Sequence, residues 1–236
     1  MLQVTEGDGD LIIFGTGETA SIAYEYFTHD SKYNVVGFSV DDEFFSSESY
    51  LGLPVIPLSK LCNLYPKEST SVFVAMAPTK LNRSRAKAYK EIKNLGYSCP
   101  TYISSKSFVW HSVVIGENSM IFEGNVLQHG VRVGDNVILW SGNHIGHQTV
   151  IGNHCFISSH CVISGFCQIG DYSYLGVNCT FRDEFTLARD CVVAMGATML
   201  KDTESGKIYQ GTPAEPNEKK SAYDLFNVAE TEIDIM

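Results

Sequence analysis

Three histidines, His111, His129 and His147, stand eighteen residues apart in the sequence, and His144, His154 and His160 fall in the same stretch. Six of the seven histidines therefore lie between residues 111 and 160. A neutral imidazole, with an ordinary pKa of about 6.5, can take the proton from an attacking amine or hydroxyl. Acyl transfer from a thioester needs such a base. It also needs a donor to the tetrahedral oxyanion, commonly a backbone N–H. A second motif, Gly15-Thr-Gly-Glu-Thr-Ala20, follows an apolar run and opens a helical stretch, the context in which backbone N–H groups hold a phosphate. Gly15, Thr16, Gly17, Glu18 and Thr19 are its candidate binding residues. Asp41 and Asp42 end the next apolar run, where a carboxylate would reach a ribose or base. Taken alone, this G-x-G-x-x-A pattern is equally a sign of NAD.

The elements that must position these groups change character near residue 108. Before it, short apolar runs (Leu11–Gly15, Val35–Val40, Ser71–Met76) alternate with amphipathic stretches (Glu18–His29, Lys80–Leu95), which implies a small parallel α/β sheet, a truncated Rossmann-like domain. Glu43–Gly52 is mostly polar and reads as a loop, and Leu81, Tyr89 and Ile92 as the inward side of the second helix. From Val109 to Val193 every sixth residue is aliphatic or aromatic, fifteen times without an insertion. No helix has that period, and a parallel β-helix does, because each hexad makes one short strand and one bend. The fifth position is mostly small, as a narrow prism interior requires. Glycine recurs at the second position, at 116, 134, 146, 152, 170 and 176, which suits a tight bend. The expected organisation is an α/β domain over 1–107, an all-β parallel β-helix over 108–200, and a capping segment and tail over 201–236.

A net charge of −10 and a pI near 5.1 argue against nucleic-acid or anionic-membrane partners. The acidic amino terminus and the absence of a long apolar run predict a cytoplasmic chain with no membrane span. Five of the seven cysteines (155, 161, 167, 179 and 191) occupy the small inward slot and read as buried packing residues. Cys62 and Cys99 read as equally structural, and no metal is expected.

The uninterrupted I-G-x-x-[small]-x hexads, followed by Ala194-Met-Gly-Ala-Thr198 and Gly211-Thr-Pro-Ala214, resemble the hexapeptide-repeat acyltransferases. With Phe14-Gly-Thr-Gly-Glu-Thr-Ala20 in front, the chain is similar to the bacterial sugar acetyltransferases, of the sialic-acid O-acetyltransferase or nucleotide-amino-sugar N-acetyltransferase type. The resemblance implies a left-handed β-helix with three hexads per coil and so about five coils, a homotrimer, acetyl-CoA as co-substrate in the groove between solenoids, and a nucleotide sugar held by the first domain. Coils of eighteen residues would stack His111, His129 and His147 in one column, at about 4.8 Å per rung. His147, in Ile145-Gly-His-Gln-Thr-Val-Ile-Gly152, matches the family's catalytic histidine. Gln148, His129, Trp140 and His144 would support it. Phe156, Val177, Met195, Gly196 and Lys201 would meet acetyl-CoA. His154 and His160, at the outward fourth position, suit a subunit contact or the CoA groove.

Three positions depart from the relatives: Gln148 stands in place of an acid, Trp140 in place of an asparagine, and Thr19 in place of a histidine. The expected activity is acetyl transfer from acetyl-CoA to a nucleotide-activated amino sugar for surface glycan biosynthesis. The alternatives are O-acetylation of sialic-acid-like or polysaccharide sugars, or a non-catalytic sugar-nucleotide-binding solenoid.

Overall fold

A computed structural model describes residues 8–233. The first part forms β1 (Gly9–Phe14), α1 (Glu18–His29), β2 (Tyr33–Val40), β3 (Ser49–Tyr50), β4 (Leu53–Pro57), α2 (Leu58–Leu64), β5 (Thr70–Val74) and α3 (Arg83–Asn94). These make one five-stranded sheet in the order β3-β4-β2-β1-β5, parallel except for the β3–β4 hairpin. Leu11, Ile12 and Ile13 of β1, paired on both sides by β2 and β5, are fully buried, because helices and the coil cover both faces of the sheet. The polar stretch after residue 42 is not wholly loop: it holds a short 3₁₀ turn (Asp42–Phe44) and β3. β4 and α2 carry little periodic signal, since Leu-Pro-Val-Ile-Pro is bounded by prolines and Pro57 starts a helix of only seven residues.

The remainder is a left-handed parallel β-helix of triangular section. Its first face stacks Phe108–Val109, Val126–Leu127, His144–Ile145, Val162–Ile163, Thr180–Phe181 and Thr198–Met199. The second stacks Val114–Ile115, Arg132–Val133, Val150–Ile151, Gln168–Ile169 and Thr186–Leu187. The third begins earlier than the hexads, at Tyr102–Ile103, and ends at Ile208–Gly211 with an antiparallel return over Ala214–Pro216. Up to Val192–Val193 the strands pair in parallel at a spacing of eighteen residues, as in Val126 with His144 and His144 with Val162, and Val192 then pairs with Ile208, sixteen residues on. The inward residues form one continuous core, from Val113 to Met199 and Tyr209.

The bends are made differently from the sequence expectation. Every sixth residue from Asn118 to Gly196, the fourth hexad position, is left-handed, with φ between +51° and +77°. The second-position glycines are not. A Cβ at any of the six would lie under 3 Å from atoms of the following coil, so glycine is there for close approach between coils.

All five coil cysteines are buried, as is Cys99, whereas Cys62 is exposed, contrary to the expectation for it. Burial pushes the Cys155 thiol up to about 12, so it stays protonated and unreactive. A disulfide-exchange reagent is therefore expected to titrate one thiol rapidly in the native protein and the other six only after unfolding. Two or more fast thiols would contradict the packing.

The first domain and the carboxyl-terminal segment both cover the third face. Its outward residues are accordingly apolar: Met120, Phe122 and Ile138 pack with α1, and Val192 and Ile208 with α4 (Ala222–Phe226). Among the described residues no helix is long and apolar enough to cross a membrane.

Candidate functional site

His147 stands at the corner between the first and second faces, across the prism from the third. The strand His144–Ile145 leads to Gly146, which admits the backbone of Ser164 and Gly165 from the next coil. Gln148, at φ +59°, then turns the chain into Val150–Ile151. The His147 N–H donates to Gln128 Oε1 at 3.0 Å, and its carbonyl accepts from Phe166 N at 2.9 Å. The imidazole lies against Gly165, where a Cβ would come within 2.5–3.0 Å of three ring atoms. Phe166 meets the ring edge-on, with centroids 4.9 Å apart. The residue is exposed, and among the described residues no protein group hydrogen-bonds the ring. Gln148 reaches over Gly130 of the preceding coil rather than to His147.

The other histidines separate by their surroundings. His129, one coil earlier, has Nδ1 2.9 Å from Ser112 Oγ. Ser112 Oγ also accepts from Gly130 N at 3.0 Å, which ties the serine to the same turn. His111 packs beside Trp110. His144 is half-buried on the first face, in register with Val126 and Val162. His160 is exposed against Gly142.

His154 is no open outward position. α3 covers it, its ring lies between Tyr89 and Tyr172, and Asn136 Nδ2 donates to its Nδ1 at 2.9 Å. Burial, with Arg85 and Arg83 adding to it, pushes its pKa down to about 4. Its unfolded pKa is near 6.5, so the unfolded chain gains the proton first as pH falls. His154 therefore costs stability between pH 6.5 and 4, on the order of 2–3 kcal/mol. Urea melts at pH 7 and pH 4.5 should show that loss shrinking in His154→Gln. An unchanged pH slope would contradict it.

The five residues expected at acetyl-CoA do not converge within one chain. Val177 and Met195 stack on successive coils at the corner between the third and first faces, with Gly196 beside them; Val177 is 42% exposed and Met195 78%. Lys201 continues the column of His147 three coils on, its Nζ 3.7 Å from Glu215 Oε1. Phe156 lies on the third face, stacked on Tyr174 at 5.2 Å. The two corners bound the same first face. The amides of His147 and Gly165 are committed, the latter to Asp183 Oδ1. Those of Val177 and Met195 make no hydrogen bond among the described residues. Trp140 shares the Val177 corner rather than that of His147. It stacks on Phe122 at 4.5 Å, and Phe122 meets Tyr26 of α1, so the indole wedges the first domain onto the coil.

In the first domain, a cleft of about 410 Å³ opens at the carboxyl ends of β1, β2 and β5. Gly15 to Thr19 form one side, Asp41 and Phe44 another, and Ala75 to Ala77 with Thr79 the third. Gly15 has φ +125°, and a Cβ there would lie 2.6 Å from the Ala75 carbonyl, so only glycine fits. Gly17 caps α1 with no side-chain bond, leaving the first-turn N–H groups to face the cleft. Burial, aided by Glu43 and Asp42 and opposed by Lys87, raises the Asp41 pKa. Asp42 does not line the cleft. Its Oδ1 accepts from Ser59 Oγ at 2.9 Å and Ser59 N at 3.3 Å, holding the start of α2. The sequence reading missed Phe44, 65% exposed, whose signal was an aromatic inside a polar stretch. It also missed Ala75–Thr79, which carry none.

Arg85 fixes this cleft to the coil. Its fully buried guanidinium donates to Val74 O (3.1 Å), Asn118 O (2.7 Å) and Asn136 O (2.7 Å), joining the end of β5 to two coils. Among the described residues no group of three or more His, Cys, Asp or Glu is placed to hold a metal.

Residues 97–208 match the family described as GMPPB C-terminal domain. The acetyltransferase domain of PglB from Neisseria gonorrhoeae FA1090, solved with acetyl coenzyme A, is similar at 26% identity and TM-score 0.79, covering 89% of this chain and 100% of that one. PerB from Caulobacter crescentus, solved with CoA and GDP-perosamine, is 23% identical with TM-score 0.77, covering 89% of this chain and 98% of that one. WeeI from Acinetobacter baumannii AYE shares the fold at 19% identity and TM-score 0.74, covering 88% and 99%. The repeat, the leading α/β sheet and these likenesses give the chain an α/β domain followed by a left-handed parallel β-helix, and over that length it is similar to the PglB acetyltransferase domain.

Proposed function

We propose that the chain moves an acetyl group from acetyl-CoA to the amine of a nucleotide-activated sugar, a surface-glycan precursor, with His147 as general base. The observation that carries this reading is the placement of His147: exposed, braced by Gly165 and Phe166, with both ring nitrogens open. The imidazole takes the ammonium-forming proton as the amine attacks the thioester carbonyl. The C–N bond forms, the C–S bond breaks, and the imidazolium returns the proton to the departing CoA thiolate. An open corner amide, with Val177 and Met195 as candidates, would hold the oxyanion. The acetyl-CoA complex of the gonococcal PglB domain supports the donor, and the GDP-perosamine held by PerB supports a nucleotide sugar as acceptor.

The domain that carries the cleft packs on the third face, and His147 stands at the corner opposite that face, so in this reading the cleft of one chain meets the His147 of a second copy. Phe108, Trp110, Val162, Phe166, Val177 and Met195 expose apolar surface on the first face and its two corners, the surface that neighbouring solenoids of a homotrimer would bury. The test is CoA release from acetyl-CoA with a panel of UDP-, GDP- and dTDP-linked amino sugars, their hydroxyl analogues, and free sialic acids. Turnover confined to nucleotide-linked amines is expected. Turnover confined to sialic acids or hydroxyl sugars would replace the reading with O-acetylation.

A further inference from the structure

Between the cleft wall and α3, Lys80, Leu81 and Asn82 have φ of +51°, +51° and +65°. No other consecutive non-glycine residues among the described ones are left-handed. The left-handed region crowds the Cβ of each L residue against the following carbonyl, so Lys-Leu-Asn does not choose this turn locally. Something outside the segment imposes it.

Apart from Tyr172, on whose ring the Arg83 guanidinium lies at 4.5 Å, the outside partners belong to the last coil and the carboxyl-terminal segment. Leu81 is fully buried among Val192, Ile208, Ala222 and Val228. Lys80 Nζ meets Glu232 Oε1 at 2.8 Å, and Arg83 Nε donates to Glu232 O at 2.6 Å. Arg83 Nη2 donates to Asp190 Oδ1 at 2.7 Å, while Asp190 Oδ2 accepts from Tyr223 Oη and Arg189 Nε, both at 3.0 Å. Among the described residues three buried side-chain polar atoms lack a hydrogen bond, and two of them, Asn82 Nδ2 and Arg83 Nη1, sit at the same turn. A cap that served only to close the solenoid would need neither the strained backbone nor the orphaned donors. On its other side the turn runs directly into Thr79, Ala77, Met76 and Ala75, the third wall of the cleft.

We infer that the carboxyl-terminal segment, acting through Arg83 and Leu81, holds the 80–82 turn in its strained form and thereby positions the cleft wall for the nucleotide. Arg83 and Leu81 are positioning residues: neither lines the cleft. The inference rests on the reading that this cleft takes the nucleotide portion of the acceptor.

The experiment is calorimetric binding of UDP, GDP and CoA to the full chain and its variants. Arg83→Met is expected to raise the Kd of whichever diphosphate binds the wild type by about tenfold or more, with the CoA Kd within about twofold. Adding Asn82→Gly should recover most of the lost affinity, because glycine adopts φ near +65° without the Cβ penalty. If Arg83→Met fails to fold, Tyr223→Phe, with and without Asn82→Gly, reads the same coupling on a smaller scale. Unchanged diphosphate affinity in the folded variants, a loss that Asn82→Gly does not reduce, or a parallel loss of CoA affinity would overturn the positioning role. A wild-type chain that binds neither diphosphate would instead remove the reading of the cleft, and this inference with it.

Discussion

His147→Ala is expected to lower kcat by roughly 10²–10⁴-fold, the ordinary contribution of a positioned general base. The magnitude follows from what the residue does and does not touch. Its ring bonds to no protein group among the described residues, so truncating it orphans nothing and breaks no network. The backbone bonds to Gln128 Oε1 and Phe166 N are independent of the ring. Thermal stability and CoA affinity should therefore stay near wild type while turnover falls. Gln128 and Gln148 are neutral and cannot substitute as bases. Full activity in a folded His147→Ala protein would remove the residue from the mechanism.

Gly165→Ala is expected to cost about 10–10²-fold in kcat, because displacing a reacting group by an ångström has effects of this size. Gly165 does not adopt the left-handed region, so its backbone accepts alanine. The added methyl would lie 2.5 Å from His147 Cε1 and 2.8 Å from Nε2, closer than Cβ contacts come. The Gly165 amide is held by Asp183 Oδ1, so the imidazole is the part that must move. The CoA KM should change little, which separates a displaced base from a damaged donor site. A Gly165→Ala enzyme with wild-type kcat would show that the ring position in the free protein is not the working one.

Much of the fold was legible because the hexad is a physical period: the inward residue recurs at every sixth position whatever covers the outside. The same property hid other features. Hexad position says that a residue leaves the core, not what lies over it, so His154 read as an open groove residue until α3 proved to cover it. Position-two glycines read as bends because glycine is often used so, but here the demand comes from the coil eighteen residues away. Asp41 and Asp42 were indistinguishable in sequence, and only the Ser59 contact divides a cleft carboxylate from a helix anchor. β4 and α2 were too short and proline-bounded for any period to register. Within the candidate site, the His147 column followed once the resemblance set three hexads to a coil, whereas the bracing by Gly165 and Phe166 depends on the next coil.

In the proposed site, cleft and base meet only across two chains, and mixing two inactive variants tests that arrangement. Gly17→Glu would place a carboxylate at the start of α1, where a Cβ meets nothing within 4 Å, so the chain folds but repels a diphosphate. His147→Ala supplies the other defect. Co-assembled in equal amounts, the two should recover about a quarter of wild-type turnover if each site draws its cleft and its histidine from different subunits of a cyclic trimer. No recovery in verified mixed oligomers would show that each chain carries a complete site, and would contradict the claim.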